Sequence, residues 1–246
     1  MAAAGIGDRV EGFHAVAAAL EARRVRTLVV ESGRLRREEY RLLVERAEAS
    51  GARVRQTDDV RDEAVTEAPQ GVFADCEPIS SPSLDDVIRL ADPPALVVLD
   101  HLEDPRNLGA IARSAHAASV PALVVPERRS APLGATAFKV AAGALEWVAV
   151  ARVGSIPDAM ARLRQRDVWL VGLDGTAERS LFGHELLGEP VALVLGGEGR
   201  GLSRLVGQRV DTTARIPMAG GVESLNVAVA GALAVFELAR VRGWIS

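Results

Sequence analysis

The pattern of apolar and polar positions divides the chain into two periodic regions. In the first, residues 13–24 have a helical composition, and the apolar run at 27–30 is typical of a buried strand. A second helix is expected at 37–50, and short strands at 53–56 and 71–74 complete a small α/β unit of about 75 residues. The buried face of the second helix follows the i, i+3, i+4, i+7 spacing and comprises Tyr40, Leu43, Val44 and Ala47.

The second region follows a Pro- and Ser-containing stretch at 76–83, which is typical of a linker. Beyond it, runs of Val and Leu alternate with helical segments, a pattern that predicts a parallel sheet covered on both faces. Strands are expected at 95–99, 122–125, 148–150, 168–171 and 191–195, and helices at 107–119, 135–146, 155–166 and 226–240. In the last helix one face carries Val229, Leu233, Phe236 and Arg240. We therefore predict an α/β protein with a small domain at 1–76, a linker and lead-in at 77–94, and a larger domain at 95–246.

Composition narrows the function classes. The single cysteine, Cys76, excludes a disulfide within the chain and any multi-cysteine metal site, which fits a reducing compartment. Residues 1–8 lack the basic and apolar regions of a signal peptide, and no apolar run reaches the ~18 residues of a membrane span. We expect a cytoplasmic protein with no membrane partner and no metal.

The net charge of −4 conceals an asymmetry along the chain. Residues 1–55 carry a net charge of +3, residues 56–104 carry −11 and residues 105–246 carry +4. All basic residues but Lys139 are arginine, which suits bidentate contacts to phosphate, although a GC-rich genome produces the same bias. Arg23, Arg24 and Arg26 are candidate phosphate contacts, with a solvated surface as the alternative.

The first candidate loop, residues 104–115, lies where the strand at 95–99 turns into a helix. Asn107 is a good N-cap, and the helix N-terminus after it presents unpaired amides. Arg113 lies outside the buried stripe and is free to reach a phosphate or a developing oxyanion. A cap followed by a solvated arginine is the structural alternative. The stripe comprises Leu108, Ile111, Ala112 and Ala115.

The second candidate loop, Leu195-Gly-Gly-Glu-Gly-Arg-Gly201, follows the strand at 191–195. Its glycines permit positive φ and a close approach of the backbone to a ligand. A phosphate-binding P-loop is excluded because no Gly-Lys-Ser/Thr follows, and the dinucleotide fingerprint fails because its third glycine position is Leu202. A plain glycine turn is the alternative, but it leaves the carboxylate of Glu198 unexplained.

The third candidate loop, residues 216–226, joins a strand end to the last helix. Ser224 and Asn226 place side-chain hydrogen-bonding groups at the start of that helix. Taken alone, both residues are better explained as helix caps than as ligand contacts. Their significance therefore depends on the other two loops.

Taken in order, the three loops resemble the motifs of the SPOUT superfamily. The segments are Asn107-Leu-Gly-Ala-Ile-Ala-Arg113, Leu195-Gly-Gly-Glu-Gly199 and Ile216-Pro-Met-Ala-Gly-Gly-Val-Glu-Ser-Leu-Asn-Val-Ala-Val-Ala230. Within the superfamily the chain resembles TrmH-type ribose 2′-O-methyltransferases, above all those acting on a guanosine of 23S rRNA. The similarity runs from about residue 95 to 240 and includes the stretch at 129–144. It extends more weakly to Glu11–Val16 and Gln70–Ala74, which resemble the small RNA-binding domain of these enzymes.

This resemblance implies a parallel-sheet methyltransferase domain threaded into a trefoil knot, preceded by a small α/β RNA-binding domain. It implies S-adenosyl-L-methionine as cofactor, RNA as substrate and a homodimer with its sites at the subunit interface. In the small domain, aromatic residues for base stacking are scarce, at 4% of the whole chain. The implied cofactor-binding residues are Leu195, Gly196, Gly197, Ile216, Met218 and Leu225.

The resemblance also implies the roles of the catalytic residues. Arg113 is assigned to activating the 2′-hydroxyl, and we favour stabilisation of the emerging alkoxide because guanidinium remains protonated in proteins. Asn107, Ser224 and Asn226 would orient the ribose and the arginine. Glu198 would hold the arginine or the glycine loop.

Three other functions are weighed against this one. A ribose methyltransferase acting on tRNA has the same motifs, and a non-catalytic RNA-binding module on the same scaffold would be expected to have lost Arg113, Glu198 or Asn226, which are all present. A nucleotide-dependent oxidoreductase or kinase lacks its phosphate loop here.

Overall fold

The computed structural model describes residues 6–197, 199, 201–221 and 224–245. Two compact units divide the chain: residues 1–80 with 132–147, and residues 81–131 with 148–246. Residues 132–147 thus pack with the N-terminal residues, although they lie within the second periodic region of the sequence. The domain bounds 1–76, 77–94 and 95–246 remain a sequence-based prediction.

The helices and strands of the described residues are, in chain order, β1 (Arg9–Glu11), α1 (Phe13–Glu21), β2 (Val25–Glu31), α2 (Glu38–Ala49), β3 (Arg53–Thr57), β4 (Val72–Cys76), α3 (Leu84–Ile88), β5 (Ala95–Asp100), α4 (Pro105–Ala117), β6 (Ala122–Pro126), α5 (Ala135–Ala141), β7 (Ala149–Val153), α6 (Ile156–Arg164), β8 (Trp169–Leu173), β9 (Val191–Gly196), α7 (Arg204–Gly207), β10 (Thr212–Ala214) and α8 (Val227–Val241). β1, α3 and α7 were not predicted, because elements this short show no periodicity, and β10 is the strand expected without bounds before the third loop. The predicted helix at 135–146 is interrupted, since Ala142 and Gly143 adopt positive φ and only a 3-10 turn follows.

The first unit is built on a sheet with the strand order β1-β4-β2-β3, in which β2 and β3 are parallel and the other pairs antiparallel. On α2, Tyr40, Leu43 and Ala47 are buried as predicted, whereas Val44 is only partly buried. The apolar face of this helix therefore packs on the unit's core, which confirms the predicted spacing.

Arg24 is a structural residue, which corrects its prediction as a phosphate contact or solvated side chain. Its guanidinium forms a bidentate pair with Glu146 at 2.7 and 2.5 Å and donates to the carbonyl of Gly7 at 3.0 Å. Both partners of the ion pair are largely buried. This pair ties the 3-10 turn at Ala144–Glu146 to the end of α1, and Arg24 is not available to RNA.

The thiol of Cys76 is buried at the end of β4, and burial raises its pKa to about 12. A thiolate is the reactive form, so the native protein is expected not to react with a thiol reagent at pH 8. The unfolded chain should incorporate one equivalent in guanidinium, because Cys76 is the only cysteine in the sequence. Rapid labelling of the native protein would contradict the burial of this side chain.

The second unit has a sheet in which every strand pair is parallel, with the order β10-β8-β9-β5-β6-β7, and this confirms the predicted parallel sheet. The chain runs from β5 outward through β6 to β7, and then continues on the other side of β5 with β8 and β9. A reversal of this kind opens a crevice at the carboxyl ends of the strands on either side of it. At that end Asp100 of β5 is in register with Gly196 of β9.

The last helix, α8, packs on α4 and β9 and presents its predicted face to the outside. Gly231 makes the close approach, since a Cβ there would lie 3.1 Å from Ile111 of α4 and 3.5 Å from Leu195 of β9. Val229, Leu233 and Phe236 share a face as expected, but they are 50%, 37% and 41% exposed. The buried face comprises Val227, Ala228, Gly231, Ala234, Val235, Glu237, Leu238 and Ala239. Among the described helices none is long and apolar enough to cross a membrane.

Candidate active site

A cavity of about 590 Å³ opens at the carboxyl ends of β8, β9 and β10, in the second unit. The second and third candidate loops form much of its wall, together with Leu173–Thr176 after β8. All the residues predicted to bind a cofactor line it: Leu195, Gly196, Gly197, Ile216, Met218 and Leu225. Ser224 and Asn226 line it as well. The structure thus brings two distant loops of the sequence into one concave surface.

The glycine loop is folded too tightly for side chains at two positions. A Cβ on Gly196 would lie 2.0 Å from the carbonyl carbon of Gly201, and one on Gly197 would lie 2.6 Å from the carbonyl oxygen of His101. Gly199 and Gly201 adopt φ of 71° and 62°, which glycine reaches without steric cost. The cavity wall here is therefore bare backbone. Glu198, the predicted catalytic carboxylate of this loop, lies outside the described residues.

Asn107 and Asn226 join the first and third loops. The amide of Asn226 donates from Nδ2 to Oδ1 of Asn107 at 3.2 Å, although the two residues are 119 positions apart. Asn226 is also the N-cap of α8, since its Oδ1 accepts from the backbone N–H groups of Ala228 and Val229 at 2.8 and 3.3 Å. The capping interpretation and the site interpretation of Asn226 are thus compatible.

The prediction that Asn107 caps α4 is wrong. The cap is Asp104, whose side chain accepts from the backbone N–H of Arg106 at 2.7 Å, and the helix begins at Pro105. Proline is well suited to the first helical position because it lacks the N–H that would be unpaired there. Asn107 instead lies in the first turn, where its buried side chain is available to Asn226.

Arg113 lies on α4, six residues and about 9 Å along the helix axis beyond Asn107. Its side chain is exposed and makes no hydrogen bond or ion pair with another described residue. The residues predicted to form the buried stripe of α4 are all buried, namely Leu108, Ile111, Ala112 and Ala115. Arg113 does not line the cavity of its own chain, and no side chain among the described residues holds its guanidinium on the surface of this unit.

Two family models match the chain. One, described as the SpoU rRNA Methylase family, covers residues 94–236, and the other, described as RNA 2′-O ribose methyltransferase substrate binding, covers residues 9–82. The chain belongs to the SpoU family. The 23S rRNA (guanosine-2′-O-)-methyltransferase RlmB of Ralstonia nicotianae is 41% identical to it over 237 residues, 94% of each chain. RlmB of Escherichia coli strain K12 is 40% identical over 249 residues, which is 96% of this chain and 100% of that protein.

Solved structures of methyltransferases have the same fold. The SpoU methyltransferase AviRb from Streptomyces viridochromogenes, solved with the cofactor AdoMet, has a TM-score of 0.79 and 25% identity, covering 96% of this chain and 91% of that one. An AdoMet-bound rRNA methyltransferase from Sinorhizobium meliloti has a TM-score of 0.78 and 25% identity, covering 97% of this chain and 88% of that one. Both likenesses span nearly the whole chain.

Asp100, beside the glycine loop, is a structural residue of the candidate site that the sequence did not predict. It ends β5 with 1% of its surface exposed, and its Oδ2 accepts the backbone N–H of Ser203 at 2.7 Å. Its Oδ1 lies 2.5 Å from Nδ1 of His101. Asp100 therefore anchors the far end of the glycine loop to the strand next to it. The sequence does carry a sign of this role, since Asp100 is a carboxylate at the end of an otherwise apolar strand. A charge that is buried at such a position requires polar partners.

Replacing Asp100 tests this anchor. In Asp100→Ala the partly buried N–H of Ser203 loses its acceptor, so the free energy of unfolding should fall by about 1–3 kcal/mol. Asp100→Asn keeps an acceptor oxygen and should lose distinctly less. Urea unfolding measures both variants, and equal losses would contradict the anchoring role of the carboxylate oxygen.

A second cavity, of about 850 Å³, shares Gly197 and Gly201 with the first. Arg129 and Arg204 line it, and within the described ranges neither forms an ion pair. Its remaining charged or titratable lining residues are Asp100, His101, Glu103 and Asp104. This lining favours a polar ligand over an apolar one. No cluster of three or more His, Cys, Asp or Glu side chains suited to a metal ion occurs in the part of the SpoU chain that the structure describes.

Proposed function

We propose that this chain transfers a methyl group from S-adenosylmethionine to the ribose 2′-hydroxyl of a guanosine in 23S rRNA. The observation that carries the proposal is the convergence of three loops, in which Asn226 lines the glycine-loop cavity and hydrogen-bonds Asn107. Relatives at 40–41% identity over nearly the whole chain are named for this reaction, which favours 23S rRNA over tRNA.

The cavity fits S-adenosylmethionine in size and chemistry. Its volume of about 590 Å³ lies within the range of small-molecule sites. Leu195, Ile216 and Leu225 offer apolar contacts for an adenine ring, and the backbone of Gly196 and Gly197, which lines the cavity, would hydrogen-bond to its edge. When bound, the cofactor supplies an electrophilic methyl group on a sulfonium. The six predicted residues, Met218 among them, would hold it there.

The side chains of the chain itself would position and activate the hydroxyl. A ribose hydroxyl is scarcely ionised at neutral pH, so its oxygen becomes a useful nucleophile only as negative charge on it is stabilised. The guanidinium of Arg113 would provide that charge and bind an adjacent phosphate, while Asn107, Asn226 and Ser224 would orient the ribose and the arginine. Glu198 would hold either the arginine or the glycine loop in place.

The exposed face of α8 supports a homodimer. Val229, Leu233 and Phe236 form an apolar stripe on the outside of the second unit, and such stripes commonly mark protein interfaces. A second copy of this chain would bury the stripe and could bring its own Arg113 to the cavity, which Arg113 does not line within one chain. The proposal therefore places the complete site at the interface between two copies.

A charge in the stripe tests the dimer. Leu233→Glu should convert a particle with the mass of two chains into a monomer and abolish most of the methyl transfer, because a carboxylate cannot be buried unpaired. Leu42→Glu, at an exposed leucine of the first unit, is the matched control and should change neither property. Light scattering after gel filtration and a methyl-transfer assay give both readouts, and a fully active monomer would overturn the shared site.

The family also implies the finer features of the proposal. The trefoil knot would be formed by the chain that carries the second and third loops around the cavity. The first unit, which contains all but the last two residues of the substrate-binding match at 9–82, would hold the RNA. Action on ribosomal RNA implies the cytoplasm as the location.

The test of the function is to identify the product. The purified chain and S-adenosylmethionine are incubated with 23S rRNA from a strain that lacks the modification, and the RNA is digested to nucleosides and analysed by mass spectrometry. We expect 2′-O-methylguanosine and no methylated base. Bulk tRNA is the comparison substrate, and preferential methylation of tRNA would overturn the assignment to ribosomal RNA.

A further inference from the structure

Gln70 organises a small polar and aromatic cluster on the surface of the first unit. Its side-chain Oε1 accepts the backbone N–H of Phe13 at 3.1 Å, and its own carbonyl accepts the hydroxyl of Tyr40 at 2.7 Å. Gln70 adopts a φ of 61°, a conformation that a non-glycine residue rarely takes. The start of α1 and the first turn of α2 are therefore both fixed to this one residue.

Three rings are arranged in sequence from the core outward. Tyr40 is buried, and the centroid of the Phe13 ring lies 5.2 Å from it with the rings tilted by 55°. The His14 ring lies 5.5 Å from Phe13 in an edge-on arrangement. Phe13 is half-buried and His14 is exposed, so these two rings form the outer surface of the cluster. Aromatic rings already held by neighbours lose little freedom when a ligand stacks on them.

Two partly exposed arginines flank the cluster, each of them beside a carboxylate. The guanidinium carbons of Arg34 and Arg37 lie 5.9 and 5.6 Å from the centroid of the Tyr40 ring. Arg34 Nε lies 3.4 Å from Oε2 of Glu31, and Arg37 Nη2 lies 2.6 Å from Oε1 of Glu39. Both arginine side chains are more than a third exposed. Exposed ion pairs of this kind are weak, so a phosphate can compete for either arginine.

We propose that Phe13 and His14 form a stacking surface for an unpaired base of the RNA substrate, with Arg34 and Arg37 binding the phosphates beside it. The inference rests on the proposed function and deepens it, because it assigns a nucleotide subsite to the first unit. Single-stranded RNA is bound by this combination of exposed rings and flanking cations, since every base has a face to stack. The scarcity of aromatic residues in the sequence concealed the subsite, which needs only two rings on the surface.

His14→Ala is the variant that tests the subsite, because its exposed side chain makes no described hydrogen bond and its loss should leave the fold intact. Loss of one stacked base weakens binding by about tenfold, so the KM for 23S rRNA should rise about tenfold with kcat and cofactor affinity unchanged. His14→Tyr retains a ring and should restore most of the binding. The control Leu42→Ala, at an exposed apolar residue of the same unit, should leave KM unchanged.

Direct evidence of stacking comes from Phe13→Trp. Its fluorescence, taken as the difference from the wild-type chain with its three tryptophans, should be quenched when 23S rRNA is added. An unchanged KM in His14→Ala, with methyl transfer by the wild-type chain intact, would overturn the subsite and leave the proposed function standing. Failure of the wild-type chain to methylate rRNA would instead overturn the function itself. A KM that rises equally in His14→Ala and His14→Tyr would also contradict stacking.

Discussion

Arg113→Ala is expected to bind S-adenosylmethionine normally and to lose at least ~100-fold in turnover, the scale of removing one group that stabilises a developing oxyanion. The side chain is exposed and makes no contact with the cavity of its own chain, so its removal should disturb neither the fold nor the cofactor site. Isothermal titration with the cofactor and single-turnover methyl transfer separate the two effects.

The controls for Arg113 distinguish its charge from its geometry. Arg113→Lys keeps a positive charge but not the planar fork, so it should recover only part of the lost turnover. Arg166→Ala removes an exposed arginine that pairs with Asp85 and follows α6, and it should retain wild-type activity. Near-normal methylation by Arg113→Ala would remove this residue from the mechanism.

Gly196→Ala is expected to lower the affinity for S-adenosylmethionine by about 100-fold. The new methyl group would lie 2.0 Å from the carbonyl carbon of Gly201, a backbone atom that can move only if the loop opens. Overpacking of this kind costs about 1–3 kcal/mol, and here the displaced backbone is the cavity wall itself. Isothermal titration measures the loss.

A matched glycine shows whether the effect is local. Gly188→Ala adds the same methyl group at a position with open space and no positive φ, so its affinity for the cofactor should equal that of the wild type. Urea unfolding of Gly196→Ala should show a folded protein with reduced stability. Wild-type cofactor affinity in Gly196→Ala would contradict the placement of the cofactor against the glycine loop.

The sequence indicated the elements of the site but not the contacts between them. The three loops could be located because each follows or precedes a periodic element, and glycines between a strand and a helix are visible in any sequence. The hydrogen bond from Asn226 to Asn107 could not be predicted from the residues alone, since it depends on how β9 and α8 are inserted beside β5 and α4. Asp104 took the capping role expected of Asn107 because Pro105 begins the helix.

Periodicity also does not indicate which neighbour covers a face. Val229, Leu233 and Phe236 are spaced as a buried stripe would be, yet the opposite face of α8 meets the sheet and α4. Small residues such as Gly231 allow that close approach, and a hydrophobic pattern gives them little weight. Likewise, residues 132–147 carry the pattern of the second region but pack with the first, partly through the ion pair of Glu146 with Arg24.

The most direct test of ribose methylation concerns a single oxygen atom, the 2′-oxygen of the target guanosine. Once the methylated guanosine has been mapped in 23S rRNA, a fragment carrying it is prepared in two forms, one with ribose and one with 2′-deoxyribose at that nucleotide. We expect the chain to transfer a tritiated methyl group from S-adenosylmethionine to the ribose form and none to the deoxyribose form. Equal incorporation into both forms would show that the acceptor is a base and would contradict the assignment.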